Sequence, residues 1–327
     1  MILIVCVLLL SGCTVQYKSD QEKNITILTE HAKGEVLQSN VINNSVMVNN
    51  QTKSDCKLYI QSDLIDLSGR ILASNMEIAE VFRKENKSIQ TGITLNNEIP
   101  TGRYRTKITI WDVDPDVKET DAIKQSISES EILYYKNMDH FDSLNEEIWA
   151  ISSKKLGSTR LETENVFVEE GYLKIRLPKN ELEGGELQST EKFGHGIYEI
   201  RMKLPSAESS ITGFFMYLPP DFYYEIDMEL FNDPSGTLLL TTYAEGEVSN
   251  SEKYLLGIDA TKEFHNYRFE YSEAKVRFYV DDKFIEEFDS GIPKGEMPLM
   301  VNCWYPEWRG LDPVAEEREL TIDWIKY

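Results

Sequence analysis

Residues 223–231 read Tyr223-Tyr224-Glu225-Ile226-Asp227-Met228-Glu229-Leu230-Phe231, with a carboxylate at every second position through the centre. The intervening Tyr224, Ile226, Met228 and Leu230 are apolar or aromatic. Successive side chains of a β-strand point to opposite faces of its sheet. This period of two therefore predicts a strand with one greasy face and one face bearing Glu225, Asp227 and Glu229 in a row. A merely solvated edge strand does not account for the apolar side, which demands a core beneath it. Nor does folding need three like charges together, because they repel and raise one another's pKa values. Such a row is an ordinary way to hold one ionised and one protonated carboxyl side by side at neutral pH.

Outward from this stretch the same period recurs. Leu173-Lys174-Ile175-Arg176-Leu177 alternates, as do residues 197–202, 275–280 and 320–325, and Asp281-Asp282 reads as a hairpin turn. Residues 139–327 carry no amphipathic helical period, so an all-β sandwich of two antiparallel sheets is predicted there. Upstream, residues 35–115 show shorter alternating runs, among them Leu58-Tyr59-Ile60 and residues 104–111, the latter preceded by a turn at Ile99-Pro100-Thr101-Gly102. They predict a small immunoglobulin-like β-sandwich serving as a spacer. Residues 116–138 are charged, and a linker with a helical turn or two is expected in them. A chain of 327 residues accommodates two domains.

Residues 2–10 form an apolar run too short to span a bilayer and of the size of a signal-peptide core. Leu10-Ser11-Gly12-Cys13 resembles the lipobox of bacterial lipoproteins, in which cleavage leaves the cysteine as a lipid-bearing first residue, although no Lys or Arg precedes the run. The expectation is a signal peptide over 1–12, lipidation at Cys13 and a polar tether over 13–34. The protein would then be extracytoplasmic and touch the membrane only through its lipid. A net charge of −22 argues against nucleic acid as a partner. Outside the export segment only Cys56 and Cys303 remain, and they read as unpaired thiols in separate domains.

Several further stretches fall in order around the acidic strand. They are Asn165-Val166 with Gly171-Tyr172-Leu173, then Phe193-Gly194-His195-Gly196-Ile197-Tyr198-Glu199-Ile200-Arg201-Met202-Lys203, then Phe214-Phe215-Met216-Tyr217. Phe264-His265-Asn266-Tyr267, Phe278-Tyr279-Val280-Asp281, Val301-Asn302-Cys303-Trp304 and Ile322-Asp323-Trp324-Ile325 follow. In this order they resemble glycoside hydrolase family 16, jelly-roll enzymes that cleave β-glycans internally with retention. The short Glu-x-Asp-x-Glu form is similar to that of lichenases (β-1,3-1,4-glucanases) and xyloglucan-modifying enzymes. Tyr305 and Trp308 form an aromatic pair that well-known lichenases lack, Tyr223 stands where they have tryptophan, and their two bridging cysteines are missing.

The resemblance implies Glu225 as nucleophile, Glu229 as general acid/base and Asp227 as the group between them. A retaining glycosidase needs its two carboxyls about 5–5.5 Å apart. Two glutamates four positions apart on a strand start about 13 Å apart at Cα, and their side chains must lean together to close the gap. Parity and resemblance together imply substrate contacts from Glu199, Arg201, Phe215, Tyr217, Tyr223, Tyr243, Glu252, Asn302, Trp304 and Trp308. Asp323 matches a position that ligates a structural Ca²⁺ in many members, and no cofactor is implied for catalysis. The expected partner is a β-glucan and the expected state a monomer. Two other readings remain at this stage: a transglycosylase, in which an acceptor sugar replaces water, and a non-catalytic carbohydrate-binding lipoprotein. The second predicts loss of at least one glutamate, and both are present.

Overall fold

The structure, a computed structural model, describes residues 12–19, 23–37, 41–96, 98–117 and 120–327. The chain divides into two compact units, Met1–Lys136 and Asn137–Tyr327. Residues 1–11 of the expected signal peptide and the side chain of Cys13 lie outside the described residues.

The first unit holds two sheets. One is antiparallel and runs Gly12–Ser19, Lys23–Glu30, Val41–Asn50, Asn86–Thr94 in spatial order. The other runs Gly34–Leu37, Ile132–Tyr135, Gly102–Trp111, Cys56–Ile65, Ile71–Val81, with Lys124–Ile127 beside Gly102–Trp111. Ile25, Ile27, Val46 and Val48 from the first sheet pack with Leu58, Ile60, Ile108 and Ile110 from the second.

Two sequence expectations are corrected here. The tether over 13–34 is not free: Lys23–Glu30 is a strand paired with residues 45–50, because Ile25 and Ile27, two positions apart on one face, bury their side chains. The linker over 116–138 is likewise structured. Ile132–Tyr135 pairs with two strands, and Lys124–Ile127 is a strand rather than a helical turn. Its charged look misleads because Lys124 is buried, with Nζ donating to the Ile27 carbonyl at 2.9 Å.

The second unit is a jelly-roll sandwich. One sheet orders Lys154–Leu156, Thr159–Leu161, Glu183–Phe193, Met297–Trp304, Ile211–Leu218, Tyr224–Phe231, Thr237–Ala244, Glu247–Leu255. Across the core lie Val166–Glu169, Tyr172–Leu177, Arg318–Lys326, Gly196–Lys203, His265–Tyr271, Val276–Val280, Lys283–Phe288. The apolar halves of the alternating strands meet between the sheets. Ile226, Met228, Leu230, Phe214, Met216, Leu299, Val301 and Cys303 share one cluster with Ile200, Met202, Phe269, Phe278, Leu320 and Ile322. Each fully buried large apolar side chain contributes about 1.5–3 kcal/mol. Asp281 and Asp282 take φ values of 49° and 61°, as a tight hairpin turn with two left-handed residues requires. Cys56 and Cys303 are not joined in a disulfide.

Candidate active site

The acidic strand Tyr224–Phe231 lies between Ile211–Leu218 and Thr237–Ala244. Directly paired residues of neighbouring strands share a face, so the register spells out the surface opposite the core. One row is Tyr217, Glu225, Tyr243; the next is Met300, Phe215, Asp227, Thr241. The third runs Glu186, Asn302, Gly213, Glu229, Leu239. Most of these residues form the floor of an open cleft of about 840 Å³. A Cβ at Gly213 would stand 2.8 Å from Asn302 Oδ1, so a larger residue there would make that amide shift. The bare backbone of Gly213 leaves the space between Asn302 and Glu229 open.

Burial is the first cause of the unusual acidity of the row. It drives Glu225 up to about 7, helped by the charges of Glu229 and Asp221 and opposed by a hydrogen bond from Asp227. Glu229 is pushed up to about 7 by burial. Asp227, 6% exposed, is raised well above the carboxylate range by burial and then by the charges of both glutamates. At neutral pH the row therefore holds protonated and ionised carboxyls together. The Tyr243 phenol, raised to about 12 by burial and by the three acids, stays neutral beside them.

The rest of the cleft is polar at one side and aromatic at the other. Glu186, 1% exposed, takes Lys154 Nζ at 2.6 Å and Ser152 Oγ at 2.6 Å, and accepts from Asn302 Nδ2 at 3.4 Å. Asn302 Oδ1 is buried without a hydrogen-bond partner among the described residues. Trp308 is 56% exposed, and its ring lies 5.7 Å from that of Phe231. Arg309, ion-paired to Asp233 at 2.7 Å, stacks on Phe231 at 3.9 Å and fixes the short turn that carries Trp308.

Of the residues singled out from sequence, the cleft gathers Glu225, Asp227, Glu229, Phe215, Tyr217, Tyr243, Asn302, Trp304 and Trp308. Others fall elsewhere and are corrected. Glu199 and Arg201 sit on Gly196–Lys203 of the opposite sheet. Glu199 is buried against Arg268 at 3.4 Å and Lys326 at 3.7 Å, while Arg201 binds Asp323 and Asn266, each at 3.1 Å. Alternation shows which side of a strand a residue takes, not which sheet the strand joins. Glu252 pairs with the core residue Leu240, which puts it on the face away from the acids. Tyr223 precedes the strand, packs on Tyr224 at 4.3 Å and does not line the cleft. Tyr305, the other half of the aromatic pair, is buried in the core.

Asp323, the expected Ca²⁺ ligand, lies on Arg318–Lys326 of the sheet opposite the acids. Its Oδ2 is engaged by the Arg201 guanidinium, and among the described residues no group of three or more His, Cys, Asp or Glu side chains is placed to hold a metal ion. Among the cleft residues that escaped the sequence reading are Lys154, Glu186, Asp221 and Phe222. Glu186 alone had a signal, the alternation of Glu186-Leu187-Gln188 after two glycines.

A family model described as Glycosyl hydrolases family 16 matches residues 155–326. A beta-glucanase of Paenibacillus polymyxa is 30% identical over 172 residues, which are 49% of this chain and 72% of that protein. Among solved structures, a Bacillus licheniformis beta-glucanase aligns with a TM-score of 0.54 at 23% identity, covering 58% of this chain and 96% of that one. A prokaryotic beta-1,3-1,4-glucanase (lichenase) derived from a mouse hindgut metagenome aligns with a TM-score of 0.54 at 22% identity, over 58% and 97% respectively. The likeness to these two structures is one of fold.

Proposed function

The chain belongs to glycosyl hydrolases family 16, and from that premise we propose that it hydrolyses mixed-linkage β-1,3-1,4-glucan internally, with retention of configuration. The observation that carries this reading is the buried row itself. Glu225 and Glu229, each poised at about 7, flank Asp227 on the floor of an open cleft. The similarity to a beta-glucanase supports the choice of glucan.

Glu225, ionised, attacks the anomeric carbon while Glu229, protonated, donates to the departing glycosidic oxygen. The glycosyl–enzyme ester at Glu225 is then opened by water, whose proton passes to Glu229. Asp227 holds Glu225 by a hydrogen bond and keeps the two glutamates in opposite protonation states. Asn302 Oδ1, unpartnered among the described residues, accepts from a sugar hydroxyl, and Glu186 accepts beside it. Trp304 and Phe215 give apolar faces on which pyranose rings stack. An open cleft, rather than an enclosed pocket, lets a polymer pass through and be cut at internal bonds.

The test is digestion of mixed-linkage glucan, with viscosity, reducing ends and NMR of the first products followed together. Viscosity should fall well before reducing ends accumulate, and the first anomer observed should be β. Release of an α-anomer first, or no release from any β-glucan, would overturn the proposal. Trp308→Ala is expected to raise KM for the polymer roughly 3- to 10-fold, the worth of one aromatic stacking contact, with kcat nearly unchanged. A fall in kcat at constant KM would move Trp308 out of ground-state binding.

A further inference from the structure

The loop between Ile211–Leu218 and the acidic strand carries two cleft residues that neither alternation nor family resemblance singles out, Asp221 and Phe222. Phe222 adopts φ 65°, a left-handed conformation that a bulky side chain avoids unless its surroundings impose it. The surroundings here are specific. The Tyr223 amide donates to the Pro220 carbonyl at 2.9 Å, Gly246 donates to the Phe222 carbonyl at 3.0 Å, and Glu245 donates to the Tyr223 carbonyl at 2.8 Å. The loop is thus tied to the turn that follows Thr237–Ala244.

This anchoring sets the Phe222 ring 5.1 Å from Tyr243, yet leaves Phe222 52% exposed. A half-exposed phenyl at the wall of a cleft presents an apolar face to whatever enters. Beside it, the Tyr217 hydroxyl donates to Asp221 Oδ1 at 2.6 Å. That bond fixes the carboxylate while its second oxygen has no protein donor among the described residues. Tyr217 and Tyr243 are the two residues paired with Glu225, so the loop stands over the nucleophile end of the acidic row.

We infer that Asp221 and Phe222 form a sugar subsite of their own beside Glu225. Phe222 packs on the apolar face of one pyranose, and Asp221 accepts hydrogen bonds from the hydroxyls of that sugar. A carboxylate accepting from hydroxyls makes charge-assisted bonds, stronger than those of an amide in the same place. This inference rests on the proposed glucanase reading of the same cleft.

The substitution that separates binding from folding is Phe222→Gly, because glycine takes the left-handed conformation without strain. The probes are mixed-linkage β-glucan oligosaccharides of increasing length. Binding is measured by calorimetry in a Glu225→Gln background, with kcat and KM on the polymer measured in the otherwise wild-type chain. Phe222→Gly and Asp221→Asn should each weaken the longer oligosaccharides about 5- to 10-fold and raise KM similarly. The affinity for oligosaccharides too short to reach the loop should hold in both variants and kcat should hold in Phe222→Gly, which leaves every charge near Glu225 in place, with Tm within about 2 °C of the parent. If Phe222→Gly lowers Tm sharply and leaves affinity and KM unchanged, the ring only supports the loop and the inference falls. If both variants bind every oligosaccharide as the parent does, it falls too. Should the parent bind and cleave no β-glucan at all, the glucanase reading fails first and takes the subsite with it.

Discussion

Glu225→Gln is expected to abolish hydrolysis of mixed-linkage glucan, lowering kcat by about 10⁴-fold or more, while the affinity for the same glucan stays within a few-fold. The amide keeps the size and most of the hydrogen bonding of the carboxyl but cannot form the ester intermediate, and removing a nucleophile costs on this order. Glu229→Gln should be nearly as damaging on the polymer, for a different reason: the leaving sugar then departs without a proton. An aryl β-glycoside with an acidic phenol needs no such help. With that substrate the Glu229→Gln variant should still release a burst of phenol and then stall as the ester accumulates. Steady-state kinetics with a stopped-flow burst measurement check both. Equal loss on polymer and aryl glycoside in the two variants would show that the assignment of nucleophile and acid is wrong.

The second large effect is on stability, and it has the opposite sign. Carboxyls whose folded pKa is raised hold protons that the unfolded chain has already released. Their contribution is therefore complete below about 4.5, the unfolded value, and is lost as pH rises through about 7. Replacing Glu225 or Glu229 by Gln removes that loss, so each variant should gain on the wild type as pH rises from 4 to 8. The gain is about 1.4 kcal/mol for each unit by which the pKa was raised, and each kcal/mol moves Tm by about 2–4 °C in a unit of this size. Thermal unfolding of wild type and variants should coincide near pH 4 and separate by several degrees at pH 8. Parallel curves across that range would mean that the acids are not held against their charged form. The same substitution that ends turnover should thus make the protein harder to melt, as expected when a site keeps like charges out of water for the sake of chemistry.

What the sequence disclosed, it disclosed through local periods. The acidic row, its apolar underside and the inward-facing Val301 and Cys303 follow from a spacing of two and need no knowledge of the partner strands. The errors come where the answer lies in a distant contact. Glu199 and Arg201 have the alternation of cleft residues but belong to the far sheet, where Arg268, Lys326 and Asp323 engage them. Lys154 is placed by an ion pair to Glu186, thirty-odd residues along the chain. Asp221 and Phe222 depend on a left-handed turn at a residue type that seldom adopts one. In the first unit, Lys124 reads as a solvated charge until the Ile27 carbonyl is found beside its ammonium group.

The strand Arg318–Lys326 is laid between Tyr172–Leu177 and Gly196–Lys203, more than a hundred residues before it. Until that segment leaves the ribosome, the sheet behind the acids has a gap at its middle, with unpaired edges on either side. Closing it means bringing together partners far apart in sequence, which makes for slow folding. A nascent chain lacking those residues is kept from sealing its sandwich early.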